Sequence, residues 1–156
     1  MATITEDYVS FEIAKLLKEK GFPQDPNICN TAYTLRGKLS NNAKSFAHNF
    51  AEFNKCGIKP MTYSMAPTLQ MAMKWLREVH NLCLFVIPAT IDKTFRTGYA
   101  LYPQCDSKWE WCASKNDRSK ATFGFNVNRK YCDSYEEACE AAIKYCLENL
   151  INKKRG

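Results

Sequence analysis

The sequence predicts an α+β fold: an antiparallel sheet of three to four strands with helices packed mainly on one face, preceded by an N-terminal helix. Three observations carry this. Apolar stripes at helical spacing flank residues 82–127 on both sides. That segment itself holds short runs that are either wholly apolar or alternate from face to face. The joints between the runs are turn formers, and short connections imply antiparallel pairing with the helices gathered on one face. At 156 residues the chain has the length of one domain, 1–156, with 27–65 an irregular or variable insertion and 152–156 a basic tail.

The first helix is expected at about residues 10–20. Ser10 is suited to the N-cap, and Phe11, Ile13, Ala14, Leu16 and Leu17 supply the apolar side. Gly21 fits the left-handed position that ends a helix, with Phe22 packing back on Leu17. In the insertion, Thr31–Leu35 reads as a strand, Gly37 as a turn, and Ala43, Phe46, Ala47, Phe50 and Phe53 as a helix that Gly57 ends. The competing reading of 41–54, with Asn41, Asn42, Asn49 and Asn54, is a long irregular loop. Residues 59–64 read as connector. A second helix is expected over 67–80, with Pro67 in its first position, a stripe of Leu69, Ala72, Met73, Leu76 and Val79, and Asn81 as its stop. Strands follow at Leu82–Ile87, around Tyr99–Leu101, at Ser107–Cys112 and around Phe123–Val127, with Thr97-Gly98 placed in a turn. The last helix opens on Ser134-Tyr135-Glu136-Glu137, a capping box, and lines Cys139, Ala142, Ile143, Cys146 and Leu150 along one face.

Composition narrows the function classes. Hydrophobic residues at 46% and aromatics at 13% are enough for a packed core and exclude a disordered chain. No apolar run has the length of a membrane-spanning helix, and Met1–Asp7 lacks the basic and apolar regions of a signal peptide. A cytoplasmic protein with no membrane partner is therefore expected. In that setting the eight cysteines read as reduced thiols, several at positions where a small apolar residue serves. The net charge of +6 is uneven: residues 92–130 hold eight basic residues against four acids, and Lys153, Lys154 and Arg155 add a basic tail. Such an excess favours anionic partners.

No motif for chemistry emerges. The two histidines, His48 and His80, and the absence of a Cys-x-x-Cys pair argue against a metal centre, although Cys105, Cys112 and Cys132 lie where strands bring distant residues together. No glycine-rich phosphate loop occurs. Neither catalytic residues, metal nor cofactor are assigned. Helix, three strands, helix is also the order of the double-stranded-RNA-binding domain, whose second helix begins with basic residues. Here that position is Tyr135-Glu136-Glu137, which repels phosphate. The binding residues expected instead are Trp109, Trp111, Lys115, Arg118, Lys120, Arg129 and Lys130. Tryptophan and arginine anchor protein interfaces, and aromatics among basic residues also stack and hold nucleic acid. A host protein is the expected partner, with nucleic acid or nucleotide the alternative.

Three blocks carry a resemblance: Tyr8–Phe22, Ala66–Asn81, and Ser134-Tyr135-Glu136-Glu137-Ala138 with the helix after it. Together they resemble a family of small uncharacterised proteins associated with gut bacteria, their integrated mobile elements and their phages. The resemblance covers about a third of the chain and attaches no catalytic role to any residue. It implies a cytoplasmic accessory protein, and a phage-borne member of that kind acts by binding, with a host defence component as the expected target. Residues 27–65 and 92–130 depart most from the family's pattern.

Overall fold

A computed structural model describes residues 6–56, 63–88, 95–101, 122–125 and 132–151. It has an α+β architecture and divides into two compact units, the first running through Ala72 and the second from Met73 to Ile151.

In the first unit, helix α1 (Phe11–Glu19) forms as its sequence dictates. Ser10 is extended, and its hydroxyl accepts the Ile13 N–H at 3.5 Å. At the other end Gly21 has φ 94°, the Phe22 N–H reaches the Leu17 carbonyl at 2.8 Å, and the Gly21 N–H reaches that of Lys18 at 3.1 Å. This is the Schellman ending expected from Gly21-Phe22. Ile13, Ala14 and Leu17 form the buried face, with Val9 and Phe22 buried beside them in sequence.

A small antiparallel sheet then appears in the order β2-β1-β3, with β1 at Ala32–Tyr33, β2 at Leu39–Ser40 and β3 at Ser64–Met65. Only part of the expected 31–35 strand is in the ladder, and Ser64, expected in a connector, is a strand residue. The cause is tertiary. The buried Thr31 hydroxyl donates to the Ala66 carbonyl at 2.6 Å, and the Ala66 N–H returns to the Thr31 carbonyl at 2.9 Å. Two-residue strands are too short to show a period in sequence. Gln24 covers the outer side of β3 by accepting the Met65 N–H at 3.0 Å. Helix α2 (Ala43–Lys55) confirms the helical reading over the loop. Its asparagines make the entry: Asn42 accepts the Ser45 N–H at 3.2 Å, and Asn30 donates to the Asn41 carbonyl at 3.0 Å. Gly57, expected to end it, lies outside the described residues.

Helix α3 (Leu69–His80) begins two residues later than its proline suggests. Thr68 takes the capping role, accepting the Met71 N–H on its hydroxyl and the Ala72 N–H on its carbonyl. Pro67 stays outside because its carbonyl accepts the Val9 N–H at 3.0 Å, and Tyr8 bridges Thr68. The buried stripe is Leu69, Ala72, Trp75 and Leu76, while Val79 is 58% exposed. Trp75, rather than Val79, completes the buried side of the helix. Asn81, at φ 56°, stops the helix as expected.

In the second unit, β4 (Leu82–Pro88), β5 (Phe95–Leu101) and β6 (Thr122–Phe125) form an antiparallel sheet in chain order. Thr97-Gly98 does not turn. It lies inside β5, with Val86 opposite Thr97 and Gly98 between Phe85 and Phe125. Hydrogen-bonded neighbours on both sides override the weak strand preference of glycine. The expected run Ser107–Cys112 lies outside the described residues. Helix α4 (Tyr135–Tyr145) packs across β4 and β5. Ser134 accepts the Glu137 N–H at 3.0 Å, while the Glu137 carboxylate accepts the Asp133 N–H at 3.4 Å, a variant of the capping box. The helix then widens into a π-helical turn, Cys146–Leu150, closed by the Ile151 N–H on the Cys146 carbonyl at 3.0 Å. Leu147, four residues after Ile143, joins Cys139, Ala142, Ile143 and Cys146 inside, and beyond the wider turn Ile151 is buried while Leu150 is only half-buried.

Candidate functional site

The outer face of α1 and the β1–β2 hairpin enclose a surface groove of about 460 Å³, with Ser64 of β3 at its end. Helical spacing builds one wall. Phe11, Lys15 and Lys18 stand four and three residues apart and so share a face, with Glu19 beside them. The hairpin builds the other wall. Its loop is closed by the Gly37 N–H on the Thr34 carbonyl at 2.9 Å and the Thr34 N–H on the Lys38 carbonyl at 3.0 Å. Gly37 has φ +75°, the left-handed bulge position of a three-residue hairpin loop.

Phe11 joins the two walls. A methyl group added at Gly37 would lie 3.1 Å from Phe11 Cδ1, so the loop sits directly on the ring. The Tyr33 ring lies 5.5 Å from the Phe11 ring at 56°, and its hydroxyl donates to the Val9 carbonyl at 2.9 Å. The Lys15 ammonium stands 4.7 Å from the Phe11 centroid, a cation–π contact worth roughly 0.5–1 kcal/mol at an exposed site. With its ring so engaged, the hairpin carries Leu35 outward, 56% exposed between Thr34 and Arg36.

Lys18 sits deeper. It donates to the Tyr63 carbonyl and stands 5.8 Å from the Tyr63 ring centroid. Burial holds its ammonium below the usual lysine range. Burial, and after it the charge of Asp25, pushes the Tyr63 phenol up. The groove is thus lined by two lysines, with Phe11 and Leu35 as its large apolar residues. Among the described residues, the ion pairs Lys55–Glu52 and Lys74–Glu78 use neither lysine. Cations beside apolar side chains suit contact with an anionic group that has an apolar neighbour.

The thiols are placed differently. Cys29, Cys132, Cys139 and Cys146 are buried. Cys29 bonds the Thr31 carbonyl at 3.3 Å. Burial pushes the Cys146 thiol up to about 12, and burial also raises Cys139 and Cys83. Such thiols stay protonated and serve as small apolar side chains. His48 is exposed on α2, and His80 meets the edge of Trp75 at 4.6 Å and 75°. Among the described residues no three His, Cys, Asp or Glu side chains gather as a metal site, and no helix is long and apolar enough to cross a membrane.

The binding residues expected from sequence, Trp109, Trp111, Lys115, Arg118, Lys120, Arg129 and Lys130, lie outside the described residues, as do Cys105 and Cys112. The groove was not anticipated. Phe11 reads as one more residue of the apolar stripe, and Lys15 and Lys18 as a solvated face. One signal was available: Leu35 sits among Arg36, Gly37 and Lys38, where a turn leaves a large apolar residue without a core to enter. Comparison with protein-family models, with curated proteins and with solved structures returned no match to this chain.

Proposed function

We propose that this chain is a non-catalytic accessory protein of a phage or mobile element, acting in the cytoplasm by binding a host protein, with inhibition of a defence component as its task. The observation that carries the binding reading is the groove: an exposed Leu35 and a fixed Phe11 ring flanked by Lys15 and Lys18 on a rigid helix and hairpin. Large apolar and cationic side chains held in place are the parts from which protein interfaces draw their affinity. The mobile-element setting is supported by the three sequence blocks that resemble that family. The test is a tagged pull-down of the full chain from host lysate, with and without nuclease, followed by reconstitution with the purified partner. A stoichiometric protein retained after nuclease supports the reading. A wild-type chain that captures no protein removes it.

The alternative is a nucleic-acid or nucleotide binder. It is favoured by the excess of eight basic residues over four acids in 92–130 and by the Lys153-Lys154-Arg155 tail. Nucleic acid that co-purifies and is lost with nuclease or high salt supports it.

A further inference from the structure

We propose that the groove between α1 and the β1–β2 hairpin binds an acidic segment of a partner protein, with a carboxylate between Lys15 and Lys18 and a large apolar side chain beside it on Phe11 and Leu35. This rests on the binding-protein reading above and names the chemistry of the partner.

Charge selects the occupant. Lys15 and Lys18 face the groove against a single acid, Glu19. The hairpin loop adds Arg36, next in sequence to the lining residue Leu35, and Lys38, next to Gly37, both exposed. Among the described residues, the ion pairs Lys55–Glu52 and Lys74–Glu78 involve none of these four cations. Lys15 lies on an aromatic face and Lys18 is anchored on a backbone carbonyl, so both ammonium groups are already restrained before a ligand arrives. That lowers the ordering cost of a charge-assisted contact. A carboxylate accepting from Lys18 also relieves its partial desolvation by supplying the opposite charge.

Shape selects a peptide over a nucleic acid. Base stacking needs an open aromatic face. Phe11 carries Lys15 over its ring and lies against Tyr33 and Gly37. Beside it, Leu35, 56% exposed, supplies the apolar surface open to a ligand. Glu19 at the wall repels a phosphodiester chain running past it, whereas a peptide places one carboxylate at the lysines and nothing charged at Glu19. A volume of about 460 Å³ is within the range of about 300–1,000 Å³ that accommodates compact ligands.

The test is selection of a display library of random short peptides against the tagged full chain, with enriched sequences synthesised and titrated by fluorescence anisotropy. Enriched peptides are expected to pair Asp or Glu with an adjacent Leu, Ile, Phe or Met. Lys15→Glu and Leu35→Asp are each expected to weaken binding about tenfold or more, and Lys15→Arg to retain it. Both side chains are exposed, so the circular-dichroism spectrum of each variant should match wild type. No enrichment, enrichment of peptides without acids, or affinity unchanged in both variants overturns the proposal. A labelled single-stranded oligonucleotide titrated in parallel overturns it too if it binds tightly and Lys15→Glu abolishes that binding. The two readings separate in lysate. If a double variant, Lys15→Glu with Leu35→Asp, still captures the host protein, the groove proposal falls and the binding-protein reading stands. If wild type captures none while the acidic peptides bind as expected, the host-partner reading falls and the groove chemistry stands.

Discussion

Replacing Gly37 by alanine tests whether the hairpin is seated on Phe11 as described. Two effects add. Alanine at φ +75° costs about 1–2 kcal/mol, because its Cβ crowds the following carbonyl in the left-handed region. The new methyl also meets Phe11 Cδ1 at 3.1 Å. Overpacking costs roughly 1–3 kcal/mol, and the half-buried ring can yield a few tenths of an ångström, so the lower end, about 1 kcal/mol, applies. Gly37→Ala should therefore destabilise the chain by about 2–3 kcal/mol, which for a chain of this length lowers Tm by roughly 4–12 °C. Urea unfolding followed by circular dichroism at several temperatures reads both quantities. Gly37→Asn separates the effects, since asparagine tolerates the left-handed region and retains mainly the contact. In a Phe11→Ala background the contact is gone, and Gly37→Ala should cost only its backbone share, about 1–2 kcal/mol. A Gly37→Ala variant within about 0.5 kcal/mol of wild type, or a cost unchanged in the Phe11→Ala background, would refute the seating of the loop on the ring.

Other consequences follow from the same structure. Ser134→Ala removes the α4 cap bond at 3.0 Å and should cost about 1 kcal/mol in urea unfolding. Leu17→Ala, at a fully buried site on α1, should cost about 2–5 kcal/mol, whereas Val79→Ala, more than half exposed on α3, should stay within about 0.5 kcal/mol. Of the cysteines among the described residues, the exposed Cys56 should react with a thiol reagent first, and Cys139 and Cys146 only on unfolding, as mass spectrometry of timed samples would show. Because burial raises the Cys146 thiol from 9.0 to about 12, its contribution to stability is complete below pH 9 and is lost as pH rises through about 12. The alkaline fall in stability should be shallower in Cys146→Ala.

Legibility in the sequence follows the reach of the interactions. Helix ends are local, and Ser10, Gly21-Phe22, Asn81 and Ser134 were all readable because a cap and its partner lie within a few residues. Pro67 misled because a tertiary bond, the Val9 N–H on its carbonyl, moved the helix start to Thr68. Thr97-Gly98 misled because glycine marks turns in isolation, while strand neighbours on both sides decided its state. The β2-β1-β3 sheet depends on Thr31 meeting Ala66 across 35 positions, which no local pattern reports. The groove was hidden for a similar reason. Lys15 and Lys18 acquire their role only when a hairpin more than fifteen residues downstream folds onto Phe11.

The most direct measurement is hydrogen exchange of the full chain, free and bound to the host protein recovered after nuclease treatment. Binding through the groove predicts slowed exchange in the Thr34–Lys38 loop and along α1, with smaller change elsewhere. Slowing confined to residues 102–130, with the loop and α1 unchanged, would contradict the groove and return the contact surface to Trp109, Trp111 and Arg118.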